Sequence, residues 1–267
     1  MKIRINEQEV AVEAGLTVAE ATARFRPGAD VLILNGFPAP PETTVREGDT
    51  LCLIRRGERP GEDELECLMA ARHTPGVHSR LKQATVGIAG VGGLGSAVAV
   101  ALARVGVGRL VIADFDVVEP SNLNRQQYFV DQLGLFKVDA LAANLARINP
   151  YVIVEPHRVR LEEDNIPPIF GCCSVVVEAF DRADMKAMLV DTVLGLMPHA
   201  SVVAASGLAG FGPNNTIVTR RVSGRLFLVG DGVSEAKPGS GLMAPRVGIA
   251  AGHQANQVVR IILGEEE

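Results

Sequence analysis

The stretch Gly90-Val91-Gly92-Gly93-Leu94-Gly95 is where residue types and spacing first suggest chemistry. Glycines permit a tight turn and let a phosphate approach backbone N–H groups at a helix N-terminus, where the dipole favours anions. The run Ala84–Gly90 before and within it is short and apolar, as a buried strand would be. After it, Ser96–Val105 carries Val98, Leu102 and Val105 on one helical face. Strand, Gly-x-Gly-x-x-Gly, helix is the context this motif needs to hold a nucleotide. The next strand, Arg109–Ala113, ends in Asp114, 19 residues past Gly95, where a carboxylate meets ribose hydroxyls. Gly90, Gly92, Gly93, Gly95 and Asp114 are therefore expected to bind a nucleotide.

The segment that follows favours a triphosphate over a nicotinamide dinucleotide. It runs Asp114-Phe-Asp116-Val-Val-Glu-Pro-Ser-Asn122-Leu-Asn124-Arg125-Gln126. Arg125 offers a rigid fork of donors for phosphate oxygens. Asn122 and Asn124 can hold the loop or the ligand through their amides. Asp116 joins the same polar cluster. Lys137 stands just before an amphipathic helix marked by Val138, Leu141, Leu145 and Ile148, and is a second phosphate ligand if it is not simply solvated. Further on, the apolar run Val175–Val177 and Glu178 lead to Asp181, which also stands where the N-cap of a helix over 185–194 would.

These residues need elements to position them, and the chain reads as two pieces. Residues 2–12 alternate as a hairpin turning at Asn6-Glu7. Thr17 caps a helix from Val18 to Phe25 with Glu20 completing a capping box. Strands follow at Val31–Leu34 and Leu51–Ile54, with a turn at Asn35-Gly36. The charged, Pro- and Gly-bearing stretch 57–66 reads as a linker, with a helix beginning near Glu62. The expected organisation is a small module over 1–57, a linker and helix over 58–76, and an α/β nucleotide domain over 77–267. The last part closes with strand Ser201–Ala205, a glycine-punctuated loop and a helix from Met243 to Leu263 containing His253, which reads as a satisfied core or interface histidine. Gly264 stops that helix and 265–267 read as a solvated tail.

Composition sets the outer bounds. Of 267 residues, 47% are apolar, and the net charge is −5. That is ample for a core and gives no electrostatic reason to expect nucleic acid or a membrane surface. No apolar run is long enough to span a bilayer and no secretory h-region opens the chain, so the expectation is cytoplasmic. The four cysteines include no Cys-x-x-Cys, which argues against zinc; Cys172 and Cys173 read as buried apolar thiols ahead of a strand.

In combination the motifs resemble a known family. Gly-x-Gly-Gly-x-Gly (90–95), Asp-Phe-Asp-x-Val (114–118), Ser-Asn-Leu-x-Arg-Gln (121–126), Gly-x-x-Lys-Val-x-Ala (134–140) and Arg147-Ile148-Asn149-Pro150 occur in order. They are similar to the adenylation domains of ThiF, MoeB and the ubiquitin-activating enzymes. The first 57 residues resemble a ThiS-type sulfur carrier, a β-grasp module. Here, however, the last strand runs on into Arg55-Arg56-Gly57 with no Gly-Gly terminus to activate, so the module reads as a docking or structural appendage.

The resemblance implies a Rossmann-like, mostly parallel α/β sheet with flanking helices, preceded by the β-grasp domain. It implies ATP-dependent adenylation of the Gly-Gly carboxylate of a ThiS-type carrier, with thiamine (thiazole) biosynthesis as the pathway. Gly93 would lie against the nucleotide, Asp114 would bind ribose, Arg125 and Lys137 would hold the triphosphate, and Asp181 would hold Mg²⁺. A partner-donated arginine is expected from just before the glycine-loop strand, Arg80 being the choice against an exposed surface role. The stretch 235–241, where some members carry a reactive cysteine, has none, so sulfur is expected from a separate donor protein. A homodimer is expected. Two rival readings stay open: a non-catalytic regulator on a degenerate adenylation fold, and an NAD(P)-dependent oxidoreductase.

Overall fold

The computed structural model describes residues 1–6, 8–58, 62–74 and 76–265. They fall into two compact units, Met1–Ser79 and Arg80–Glu267. The expected turn residue Glu7, part of the charged stretch 57–66 and the end of the tail lie outside the described residues.

The first unit has β1 (Lys2–Ile5), β2 (Gln8–Ala11), α1 (Val18–Phe25), β3 (Val31–Leu34), β4 (Phe37–Pro38), β5 (Thr50–Ile54) and α2 (Glu62–Ala70). Its sheet runs β2-β1-β5-β3-β4, with β1 and β5 parallel at the centre and the remaining pairs antiparallel. Period-two alternation sends Ile3, Ile5, Leu51 and Leu53 to one face, where Val18 and Ala21 of α1 bury them. Ile33 and Cys52 point to the other face and pack with Ala71 and Leu68. The capping box forms as expected: the Glu20 amide donates to Thr17 Oγ1 and the Thr17 amide to Glu20 Oε2. Asn35 and Gly36 both adopt positive φ, 50° and 88°, which makes the tight turn between β3 and β4. The two-residue β4 was not foreseen, since so short a strand carries no period.

The second unit contains α3 (Val77–Gln83, which straddles the boundary), β6 (Thr85–Ala89), α4 (Gly93–Arg104), β7 (Arg109–Asp114), α5 (Lys137–Ile148), β8 (Ile153–Arg158), α6 (Ile166–Phe170), β9 (Val175–Glu178), α7 (Ala183–Leu196), β10 (Ser201–Ala205), β11 (Val218–Ser223), β12 (Leu226–Gly230) and α8 (Ala244–Ile262). The sheet order is β11-β12-β10-β9-β6-β7-β8, parallel throughout except for β11 at one edge. Strands β6, β7, β9 and β10 are nearly all buried, which is why they read as unbroken apolar runs. From β6 the chain builds outward to β7 and β8, then returns to place β9 on the other side of β6. The carboxyl ends of β6 and β9 therefore diverge at a topological switch point, where open α/β sheets bind ligands.

Three expectations about this unit change. Helix α4 begins at Gly93, not Ser96, so the last glycines of the motif are already helical. Helix α7 begins at Ala183 with Arg182 as its N-cap, so Asp181 is not the cap. Cys172 is exposed while Cys173 is buried, because only the second faces the core beneath β9. Burial raises the Cys173 thiol well above its usual range. The edge strands β8 and β11 were not anticipated either. Pro156 lies within β8, which an edge strand tolerates, and β11 is too polar on both faces to alternate.

Candidate functional site

The glycine loop leaves β6 at Ala89 and enters α4 at Gly93. Gly90 has φ +85°, and a Cβ there would sit 3.0 Å from the Ala179 carbonyl oxygen. A Cβ on Gly95 would lie 1.9 Å from the Gly90 oxygen. These two glycines are thus required by close backbone approach within the loop and against the β9 loop. Gly92, the N-cap of α4, supplies no side-chain bond to the first turn, so the N–H groups of that turn stay free of a side-chain cap. Ser96 Oγ donates to the Gly92 carbonyl at 2.6 Å and closes the turn.

Asp114 ends β7 beside this loop. Its Oδ2 accepts from the Val91 amide at 2.8 Å and its Oδ1 from the Asp116 amide at 2.9 Å. Burial raises the Asp114 carboxyl above the usual carboxylate range, against the pull of those two amides. The chain then folds back on itself: Val118 donates to Leu135 O, and Val117 pairs with Phe136. That return brings the first residue of α5 to Asp116. Lys137 Nζ lies 2.8 Å from Asp116 Oδ2, with the lysine side chain 7% exposed. A cation at a helix N-terminus opposes the dipole, so a buried Lys137 needs an anion beside it, and here Asp116 supplies one.

Between those limbs, residues 121–128 are moored to the glycine loop. Tyr128 donates its hydroxyl to Val91 O at 2.7 Å, and the Gln127 amide donates to Ser96 Oγ at 3.2 Å. Asn122 is buried, its Oδ1 accepting from the Glu119 amide at 3.1 Å, so its side chain shapes the loop. Arg125 donates to Ser121 O and to Asn124 Oδ1, at 3.1 and 2.9 Å. Arg125 Nε and the carbonyl oxygen of the buried Gln126 side chain are enclosed without a partner. A Cβ on Gly93 would come within 3.5 Å of Arg125 Cγ, so the arginine stem lies directly over the start of α4. A cleft of about 200 Å³ opens there, walled by Gly93, Asn124, Arg125, Gln126 and, from α8, Val247 and Gly248.

The structure thus gathers Gly90, Gly92, Gly93, Gly95, Asp114, Asp116, Asn122, Asn124, Arg125 and Lys137 on one rim of the sheet. Asp181 sits exposed in the loop after β9, across the switch point. That loop is anchored by Glu178, which is fully buried. Glu178 accepts from the Phe180 and Ala205 amides, and Lys186 Nζ reaches its two oxygens at 2.9 and 3.0 Å. Burial raises the Glu178 carboxyl, while Lys186 opposes the rise. Arg80 lies elsewhere: it donates to Ile262 O at the C-terminal end of α8, roughly 20 Å along the helix from the turn that walls the cleft. His253 bonds Thr219 of β11 at 3.0 Å.

Sequence reasoning passed over Gln126, Tyr128, Glu178 with Lys186, and Arg246. Glu178 carried a signal, a charged residue ending a wholly apolar strand. Tyr128 and Arg246 had none, because the partners they meet lie 15 or more residues away, and Gln126 had none because only packing encloses its side-chain oxygen.

Chemically, the rim offers uncapped helix N–H groups, a buried carboxylate beside the loop, and two cations, one with an unpartnered donor. That set suits a nucleotide with several phosphates. Among the described residues, no three His, Cys, Asp or Glu side chains are grouped to hold a metal ion. Magnesium on a nucleotide needs only one or two carboxylates besides phosphate and water, and Asp181 fits that requirement. Nor, among the described residues, is any helix long and apolar enough to cross a membrane.

Comparison with known proteins identifies the family. The ThiF family matches residues 68–267, and the ThiS-like ubiquitin family matches residues 1–57. A molybdopterin-synthase adenylyltransferase of Salmonella typhimurium is 31% identical over 187 residues, 68% of this chain and 74% of that protein. The adenylyltransferase and sulfurtransferase UBA4 of Scheffersomyces stipitis is 32% identical over 134 residues, 50% of this chain but only 30% of its own length. The E. coli tRNA N6-threonylcarbamoyladenosine dehydratase TcdA, solved in complex with ATP, superposes with a TM-score of 0.67 at 21% identity, over 74% of this chain and 93% of that one, a likeness of fold. The chain belongs to the ThiF family and carries a ThiS-like ubiquitin module ahead of its ThiF domain.

Proposed function

We propose that this protein uses ATP to adenylate the C-terminal carboxylate of a small ubiquitin-like sulfur carrier. The observation that carries the reading is the cleft in which Arg125 lies over the uncapped start of α4, beside the glycine loop that Asp114 binds. Support comes from relatives whose names describe adenylyltransferases, and from the ATP complex of a fold neighbour. Under this reading the carrier carboxylate oxygen bonds to the α-phosphorus, the bond from that phosphorus to the bridging oxygen breaks, and pyrophosphate leaves. The carboxylate is already ionised, so no general base is required. Catalysis rests on alignment and on stabilising the charge that grows on phosphate oxygens.

Arg125 holds that charge through its guanidinium, and Lys137 exchanges Asp116 for a phosphate oxygen. Asp114 takes the ribose. Mg²⁺, held by Asp181 and the nucleotide, would neutralise phosphate charge. A ThiS-type carrier and the thiazole branch of thiamine synthesis are the specific partner and pathway we assign. Sulfur arrives from a separate donor protein, and the enzyme works as a cytoplasmic homodimer in which Arg80 of one copy serves the other.

The test is exchange of labelled pyrophosphate into ATP with Mg²⁺ and a free ThiS-type carrier ending in Gly-Gly. Exchange should require the carrier and fall at least 100-fold in Arg125→Ala, the scale at which loss of one preorganised donor acts. ATP binding without carrier-dependent exchange would sink the reading for that carrier and favour a regulatory role for the fused module.

A further inference from the structure

The backbone of Gln127, two residues past Arg125, is gripped from both sides. Its N–H donates to Ser96 Oγ on α4 at 3.2 Å, and its carbonyl accepts from Asn144 Nδ2 on α5 at 2.9 Å. Asn144 is 5% exposed and pairs reciprocally with the side chain of Gln132, which is 8% exposed. Gln132 Nε2 donates to Asn144 Oδ1 at 2.7 Å, and Asn144 Nδ2 donates to Gln132 Oε1 at 3.0 Å. Gln132 Nε2 also reaches Ala140 O at 3.3 Å, and Gln132 Oε1 accepts the Phe129 amide at 3.0 Å. Both side-chain nitrogens and both oxygens therefore have partners. A buried amide network satisfied in this way rigidifies one arrangement, whereas a half-satisfied one is costly.

The surrounding segment is turned the wrong way for apolar packing to hold it. Of residues 127–136, only Tyr128, Gln132 and no apolar aliphatic side chain are buried. Phe129, Val130, Leu133, Leu135 and Phe136 are exposed. Tyr128 fastens the segment to the glycine loop through Val91 O, and the amide pair fastens it to α5. Gln127 itself lines the cleft together with Leu123, Asn124, Arg125 and Gln126. The grip on Gln127 thus bears on the wall that presents Arg125.

We infer that Gln132 and Asn144 are positioning residues for nucleotide binding: their amide pair clamps the Gln127 backbone between α4 and α5 and so fixes the cleft wall 123–127 with Arg125 on it. The nucleotide and the role of Arg125 in holding it rest on the adenylation reading. The clamp itself does not.

The test uses the double variant Gln132→Met/Asn144→Leu in the full chain. Replacing both partners of a buried polar pair by apolar groups of similar shape can leave stability nearly unchanged, which separates positioning from folding. Calorimetric titration should show the Kd for ATP raised about ten-fold, the scale of one lost buried hydrogen bond. Arg125→Ala should weaken ATP binding by about ten-fold in the unmodified protein but by less than about two-fold in the double variant, because an arginine no longer held in place has little left to lose. Hydrogen exchange should show protection lost over 121–136 and kept over 85–89 and 109–114. Should the double variant not fold, Gln132→Met alone, which keeps the Asn144 bond to Gln127, enters the same cycle with smaller shifts of the same sign. An unchanged Kd for ATP, an equal cost of Arg125→Ala in both backgrounds, or unchanged protection over 121–136 overturns the inference. If the unmodified protein binds no ATP, or Arg125→Ala leaves its affinity unchanged, the nucleotide reading falls by itself and hydrogen exchange alone decides the clamp.

Discussion

At the scale of single residues, the informative groups are charges placed where isolated chemistry would not leave them. Lys137 stands buried at the positive end of a helix, and Asp231 sits beside a buried arginine. Burial alone would raise the Asp231 carboxyl. The Ser234 hydroxyl and amide, the Val233 amide and Arg246 outweigh it and hold it at about 2. The folded pKa therefore lies below the unfolded one, near ~3.9. The stability this group contributes is fully present above the unfolded value and is lost as pH falls toward 2, because the unfolded chain takes up the proton first. Denaturant midpoints of the unmodified protein and Asp231→Asn should differ at pH 7 and converge as pH falls from about 4 to about 2. A gap that stays constant over that range would mean the carboxylate does not feel those donors.

At the scale of elements, the glycines of two helices separate loop geometry from open space. Gly95 in α4 is pressed against the Gly90 carbonyl, so Gly95→Ala should destabilise by about 1–3 kcal/mol through overpacking and disrupt ATP binding. Gly248 in α8 faces nothing within 4 Å, so Gly248→Ala should stabilise by about 0.5–1 kcal/mol through helix propensity while adding a methyl to the cleft wall. Urea unfolding together with calorimetric ATP titration checks both signs. Equal effects would show that the crowding at Gly95 has been absorbed by movement of the loop. The β9 loop belongs to this scale too. Glu178 binds amides from two strand ends and Lys186 from α7, so a single buried carboxylate joins the elements that present Asp181.

At the scale of the whole molecule, the chain has two compact units with separate cores, the first matched by the ThiS-like ubiquitin family and the second by the ThiF family. A ligand that binds one folded unit stabilises that unit by mass action, about 2.7 kcal/mol at 100 times Kd. Calorimetric melting should therefore resolve two transitions, of which only one moves up with ATP. Thr17→Ala, which removes the cap of α1, should lower the other by about 1 kcal/mol and leave the ATP-sensitive one in place. A single transition that responds to both would show the units unfolding as one.

The local parts of this protein were legible because their physics is local. The turn of Gly90–Gly95, Asp114 at a strand end, the capping box at Thr17 and Glu20, and the helix periods of α1 and α5 each depend on neighbours within a few residues. Thus sequence alone determined the fold class and named most of the residues that gather on the glycine-loop rim. It offered Asp181 as an alternative cap of α7 because Asp is a favoured N-cap residue, and only backbone geometry puts Arg182 at the boundary. Edge strands β8 and β11 escaped notice because a strand buried on neither face need not alternate. What tertiary structure decided is which charges meet. Lys137 finds Asp116 because residues 116–118 pair back on 134–137, and Arg246 gathers carbonyls and a carboxylate from 15 to 34 residues away. Such pairs form only where burial makes an unpartnered charge costly, and burial is a property of the packed sheet and helices together.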